Sequence, residues 1–230
     1  MKMLRSSRIF LAMMLLISGT VQAGVSIGGS RVVFPGDKRE QTISVKNMDA
    51  SPYLIQSWVE DDTGKVDGAH FILTPPLFRL DSGDTNVLRI VKLANNFPGD
   101  KETLFWLNIK SIPGAKEHDE NTLQIAVRTR MKLIFRPAAL ADTLPETQAE
   151  KVKWTETAGA LEVTNPTPYY MNFISVSVDG HPLPEVTYVP PLSTKKFSLG
   201  AIQSARNVSW KIINDFGGTG PVHHQLINHR

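Results

Sequence analysis

The sequence has 230 residues, with 25 Lys and Arg, 22 Asp and Glu, no Cys, a formal net charge of +3 and a hydrophobic fraction of 41%. That apolar fraction is enough for a packed core, and the length suits two domains of about 100 residues or one large one. Without cysteine there is no disulfide framework, thiolate metal site or cysteine nucleophile, while the positive balance raises the question of an acidic partner such as nucleic acid.

In chain order, residues 1–23 read as a secretory signal peptide. Lys2, Arg5 and Arg8 form its positive region, and Ile9 to Ile17 is an apolar run shorter than the ~20 residues a membrane span needs. Ser18-Gly19-Thr20 breaks the run, and Val21-Gln22-Ala23 is a small-residue cleavage site, so the mature chain is expected to start at Gly24, in a bacterial periplasm or outside the cell. Removing those three cations leaves 22 basic residues (25 − 3) against 22 acidic ones, so the basic balance belongs to the export segment.

The rest is rich in strand patterns and nearly free of helical periodicity. Strands are expected over Val25–Phe34, Thr42–Asn47, Tyr53–Glu60, Phe71–Thr74, Asn86–Leu93, Thr103–Ile112 and Leu123–Phe135. Turn residues separate them, among them Pro35-Gly36-Asp37, Pro75-Pro76 and Pro98-Gly99-Asp100. Seven strands with that spacing have the rhythm of an immunoglobulin-like sandwich. Pro137 to Pro145 reads as a linker, and six further short strands between Val152 and Ile227 fit a second, smaller sandwich. The expected organisation is all-β: two tandem immunoglobulin-like domains over 24–140 and 145–230, with no internal repeat.

Support for an enzyme is slight, since no G-x-S-x-G elbow, H-E-x-x-H pair or Walker loop is present. His223, His224 and His229 suggest a metal cluster, but adjacent strand residues point to opposite faces, so a polar edge is the simpler reading. Asp61-Asp62 and Glu117-His118-Asp119-Glu120 sit in turn contexts where solvated charge suffices. Trp58, Trp106, Trp154 and Trp210 read as core or interdomain packing.

Leu123–Phe135 is unusually long for a strand and divides sharply by parity. Leu123, Ile125, Val127, Met131, Leu133 and Phe135 share one face; Arg128, Arg130, Lys132 and Arg136 share the other. Two readings are open: the apolar face packs the core while the basic face meets water, or the first half lies at a sheet edge and offers Leu123, Ile125 and Val127 to another chain. Strict alternation sets Lys132 opposite Val127, so a twist or bulge is expected between them.

Four blocks extend the argument: Arg31-Val-Val-Phe-Pro-Gly, Phe97 to Pro113 (FPGDKETLFWLNIKSIP), Met131 to Pro137 (MKLIFRP) and Ile213 to Gly218 (INDFGG). In this order they resemble the periplasmic pilus-assembly chaperones, in the short-loop branch, given some nine residues between Pro113 and Leu123 and no cysteine. The resemblance implies two immunoglobulin-like domains in a boomerang-like arrangement around a cleft, and a function without covalent catalysis or cofactor. It implies that Arg31 and Lys132 anchor a pilus subunit's terminal carboxylate, as two cations in a partly desolvated cleft can do through charge-assisted hydrogen bonds. Leu123, Ile125 and Val127 then fill the subunit's open groove by donor-strand complementation, and Glu102, Arg136 and Asp215 form a charged cluster that fixes the domain angle. The partners implied are pilus subunits (pilins and a tip adhesin) and an outer-membrane usher, with no nucleic acid and no small-molecule substrate. The rival reading is a secreted tandem immunoglobulin-like structural or adhesive protein, with a carbohydrate-binding or hydrolytic enzyme more remote.

Overall fold

Alternation in sequence becomes alternation in burial. In the computed structural model, which describes residues 24–93, 96–114, 123–157, 159–202 and 204–229, the strand Glu40–Asn47 buries Ile43, Val45 and Asn47 and exposes the residues between them. The expected signal peptide and most of the loop after Pro113, with its Glu117 to Glu120 acidic run, lie outside the described residues.

The N-terminal sandwich is built from β1 (Val25–Ile27), β2 (Arg31–Pro35), β3 (Glu40–Asn47), β4 (Tyr53–Glu60), β5 (Phe71–Thr74), β6 (Leu77–Leu80), β7 (Thr85–Lys92), β8 (Thr103–Pro113) and β9 (Val127–Arg136). One sheet has the order β1-β3-β7-β5 and the other β2-β9-β8-β4-β6. Between them lie Phe34, Ile55, Leu88, Ile90, Leu107 and Leu133, all fully buried. Each such side chain contributes about 1.5–3 kcal/mol of burial, and the Phe97 and Phe135 rings stack at 3.8 Å to close one end.

The C-terminal sandwich is built from β10 (Lys153–Thr157), β11 (Ala160–Asn165), β12 (Met171–Val178), β13 (His181–Pro182), β14 (Tyr188–Val189), β15 (Ser193–Ser198), β16 (Asn207–Ile212), β17 (His223–Leu226) and β18 (Asn228–His229). Its sheets run β15-β11-β10-β18 and β13-β12-β16-β17, with β14 also paired to β12. Trp154 and Trp210 meet in its core at 5.6 Å between ring centroids. A buried asparagine ties down a loop in each domain: Asn47 Nδ2 donates to the Ser51, Leu80 and Asp81 carbonyls, and Asn165 Nδ2 to those of Tyr169 and Pro190.

Four expectations need correction. The first strand is not continuous from Val25 to Phe34: it changes sheets at Gly28–Ser30, so β1 pairs with β3 while β2 pairs in parallel with β9. Gly28 allows the crossing, because a Cβ there would lie 2.2 Å from Ser44 Oγ. The long strand starts as regular ladder only at Val127, Leu123–Ala126 lying beyond the sheet. No bulge interrupts β9, whose register with β8 runs unbroken from Ser111↔Val127 to Thr103↔Phe135. The two faces of β9 instead serve different neighbours, so Lys132 and Val127 stay on opposite sides; the irregularity in the described sheets of this kind falls on β12, between Phe173 and Ser175. Lastly, Trp58 and Trp106 are only half buried and stand on the outer face of their sheet, against arginines.

Candidate functional site

β9 is an interior strand over one half and an edge over the other. β2 pairs with Lys132–Arg136 only, because the chain has crossed to the opposite sheet by Ile27. Residues Val127–Met131 therefore bond to β8 on one side and leave the other side without a ladder partner. Leu123, Ile125 and Val127 are 83%, 66% and 56% exposed, so none of the three belongs to this domain's own core. Ile125, Val127 and Thr129 flank a hollow of about 330 Å³ that also reaches Val25, Tyr53 and Ile109. An edge with unpaired amides and exposed alternating apolar residues is a surface made for another strand.

The opposite face of this half-edge is fixed by charge. Arg128 donates to Asn108 Oδ1 at 2.9 and 2.7 Å and to Glu60 Oε1 at 2.6 Å, and its guanidinium lies 5.0 Å from the Trp58 ring. Arg130 reaches Glu60 Oε2 at 3.3 Å and sits 4.1 Å from the Trp106 ring. Burial works against the Glu60 charge, but hydrogen bonding from Trp58 and the two arginines hold its carboxyl below the usual range. The basic parity is thus engaged by rings and an acid rather than by water alone.

Where β2 takes over the edge, the cations change character. Parallel pairing sets Arg31 directly beside Lys132. Lys132 Nζ donates to Asn172 Oδ1 of β12 and lies 4.2 Å from the ring of Tyr188 on β14, so the C-terminal domain covers it. Burial, then the charges of Arg31 and Lys195, bring the Lys132 ammonium down to a pKa of about 7. Burial also lowers Arg31 against the pull of Asp215, and its Nε is buried without a hydrogen-bond partner. Among the described residues no carboxylate lies within ion-pair distance of Arg31 or Lys132. Two neighbouring, partly dehydrated cations with no direct ion-pair partner are an arrangement that can take an anion.

Two pleat repeats further along β9, Arg136 closes the domain junction. Its Nε donates to Glu102 Oε1 at 2.7 Å, and Nη1 and Nη2 donate to the two oxygens of Asp215 at 2.6 and 2.8 Å. Glu102 Oε2 accepts the Tyr170 amide at 2.6 Å, and the Glu102 amide donates to the Pro168 carbonyl at 2.9 Å. The structure thus brings Glu102, Arg136 and Asp215 together. Burial opposes the charge on Arg136, but Asp215 and Glu102 outweigh it and hold the guanidinium pKa above its ordinary value, while burial pushes Glu102 up against Arg136. Asp215 is presented by a tight turn in which Asn214 Oδ1 accepts the Phe216 and Gly218 amides. Gly217 adopts φ +83° there, and a Cβ would come 2.6 Å from Ser30 Oγ of the other domain.

The comparisons with known proteins fall on this geometry. Residues 24–141 match the description of the pili and flagellar-assembly chaperone PapD N-terminal domain, and residues 147–224 that of the pili assembly chaperone PapD C-terminal domain. The chain belongs to the pilus-assembly chaperone family. Chaperone protein FimC of Escherichia coli (strain K12) is 42% identical over 216 residues, 92% of this chain and 87% of that protein. Among solved structures, a chain of the Salmonella enterica complex of SafA pilin with the SafB chaperone is 36% identical, with a TM-score of 0.81 and coverage of 90% of this chain and 98% of that one. The periplasmic chaperone SfaE is 33% identical with a TM-score of 0.74, covering 88% and 100%. Within this chaperone, sequence reasoning missed Asn172, Tyr188 and Lys195 around the cations, and Glu60 behind the half-edge. The adjacent histidines do point to opposite faces: His223 is buried against Trp210 and His224 is exposed.

Proposed function

We propose that this chaperone holds a pilus subunit by lending it Leu123, Ile125 and Val127 along the free half of β9, while Arg31 and Lys132 take the subunit's terminal carboxylate. The observation that carries the reading is the junction itself: the free edge ends at Met131, and the next residue is Lys132, with Arg31 beside it on β2. A strand laid on that edge with its carboxylate in the cleft must run in the same direction as β9, because β9 also runs toward the cleft. Lys132 lies five residue steps beyond Val127, about 16 Å of extended chain, so the groove contacts and the anchor are held in one register. The subunit gains a ladder partner and apolar filling, and a competing strand of another subunit displaces both. No covalent step is involved. Residues 1–23 serve as the periplasmic export signal, the domain boundary falls in Pro137–Pro145, and Glu102, Arg136 and Asp215 hold the domain angle for delivery to an outer-membrane usher.

The test uses Arg31→Ala, Lys132→Ala and Ile125→Asp in cells that co-express a fimbrial subunit. All three proteins are expected in the periplasm in folded form, and all three fail to recover a subunit complex. Wild-type recovery with the two anchor variants overturns the carboxylate assignment. Loss of folding in Ile125→Asp overturns the client assignment of that side chain.

A further inference from the structure

We propose that Lys195 of β15 is a third cation of the carboxylate receptor, contributed by the C-terminal domain, and that it sets how strongly this chaperone reads a client's charged terminus. Lys195 Nζ lies 4.0 Å from the centroid of the Tyr188 ring, the same ring that Lys132 Nζ approaches to 4.2 Å, so the two ammonium groups are at most about 8.2 Å apart. β15 turns Ser193, Lys195 and Phe197 toward the half-buried side and Thr194, Lys196 and Ser198 toward solvent. Lys196, on the solvent side, has an acid to pair with, Glu162 at 3.4 Å. Lys195 has none among the described residues; the aromatic ring is its partner, and burial lowers its pKa. A lysine held inward near Lys132, without an ion-paired carboxylate, is a cost that the free protein carries and an anion removes. Tyr188 is the common support: its ring face attracts both ammonium groups and holds them near one another despite their repulsion. Arg31 and Lys132 lie on the N-terminal domain and Lys195 on the C-terminal domain, so an anion among the three is gripped from both sides of the cleft.

This inference rests on the carboxylate reading above, and the experiment separates the two. The probes are a synthetic peptide of alternating valine and threonine with solubilising lysines at its acetylated end and a free C-terminal carboxylate, and the same peptide as its C-terminal amide. Binding of each to full-length chaperone is measured for wild type, Lys195→Gln, Lys195→Arg and Lys132→Met. The wild type is expected to prefer the acid, and Lys195→Gln to shrink that preference by about three- to tenfold, as befits one charge-assisted contact at a half-exposed group. Lys195→Arg retains the preference, amide binding is the same in all Lys195 variants, and added salt narrows the gap between wild type and Lys195→Gln. A lysine that only packs on Tyr188 gives a different result: acid and amide weaken together, or not at all, and that result overturns the inference. If Lys132→Met loses the acid preference while Lys195→Gln keeps all of it, Lys195 is not part of the receptor and the underlying reading stands. If the wild type does not bind the acid in preference to the amide, the underlying reading fails and this inference with it. Titration of the Lys132 side chain by NMR gives an independent readout: removing the neighbouring charge in Lys195→Gln raises its midpoint, and an unmoved midpoint counts against the shared receptor.

Discussion

If Lys132 anchors a carboxylate as proposed, this one lysine sets the pH range in which the cleft binds. Lys132 titrates near 7 in the free protein, so it is an ammonium below that pH and largely neutral above it. A bound carboxylate supplies the missing countercharge and raises the lysine's pKa in the complex. Between the free and bound values, binding takes up a proton, and affinity falls by up to about tenfold for each unit that the pH rises above 7. Titration calorimetry from pH 6 to 9 checks this: the peptide acid should weaken along that slope while its amide does not. The same shift has a consequence for stability. The unfolded chain keeps Lys132 protonated up to its ordinary value of 10.5, so between about 7 and that value the unfolded state binds more protons and stability rises with pH. Below pH 7 the buried charge is a full burden. Lys132→Met should therefore raise stability at pH 6 by about 1–2 kcal/mol, after allowing for the lost hydrogen bond to Asn172, while abolishing the acid preference. Thermal unfolding of variant and wild type at pH 6 is the measurement, and a lower midpoint for the variant contradicts the account.

At the scale of elements, the free half of β9 has to stay straight with one edge unpaired. Pairing to β8 provides one support, and Arg128 and Arg130 converging on Glu60 provide the other. Glu60 itself is nearly buried, whereas Arg128 and Arg130 are largely exposed and screened by water, so replacing it with alanine costs about 0.5–1.5 kcal/mol. The expected result is local: those amides of Val127–Met131 that bond to β8 exchange with solvent about tenfold faster, while those of β7 in the opposite sheet stay at wild-type rates. Uniform acceleration across the domain would mean that Glu60 supports the fold as a whole instead. This half-edge also marks the limit of what the sequence could tell. The alternation of Leu123, Ile125 and Val127 against Arg128, Arg130 and Lys132 was plain, because strand period 2 is a local property. That the edge is free only as far as Met131 depends on where β2 stops pairing, which the Gly28–Ser30 crossing decides about a hundred residues earlier. β6 was overlooked for a similar reason: Leu77–Leu80 follows two prolines and becomes a strand only because β4 offers it an edge. Asn172, Tyr188 and Lys195 belong to the other domain, and no periodicity in their own strands marks them as neighbours of Lys132.

For the whole molecule, one arrangement of the two sandwiches brings Asn172, Tyr188 and Lys195 to Lys132, and something must keep it. Lys132 and Arg136 share a face of β9, so the proposed anchor and the domain junction are one side of one strand. If the domains moved apart, Lys132 would lose Asn172 and Tyr188, and Lys195 would leave its neighbourhood. The bidentate pair between Arg136 and Asp215 opposes that motion, because its planar geometry tolerates little rotation and the Asp215 turn is packed against Ser30 through Gly217. Glu102 cannot replace it: it lies in the N-terminal domain with Arg136 and reaches across only to the Tyr170 amide and the Pro168 carbonyl. Asp215→Asn keeps the shape of the turn but halves the charge-assisted pairing and leaves Arg136 with a single acid. Each sandwich retains its own hydrophobic core, so both domains should stay folded, with strand content unchanged by circular dichroism. Small-angle scattering should show a broader spread of interdomain distances, and subunit recovery should fall several-fold although Arg31 and Lys132 are intact. Scattering identical to wild type with undiminished recovery would show that the remaining junction contacts suffice, and that Arg136 stabilises the fold without setting the angle. Broadened scattering with full recovery would show that the receptor can form without a fixed angle, so that the client, rather than the ion pair, brings the two sides together.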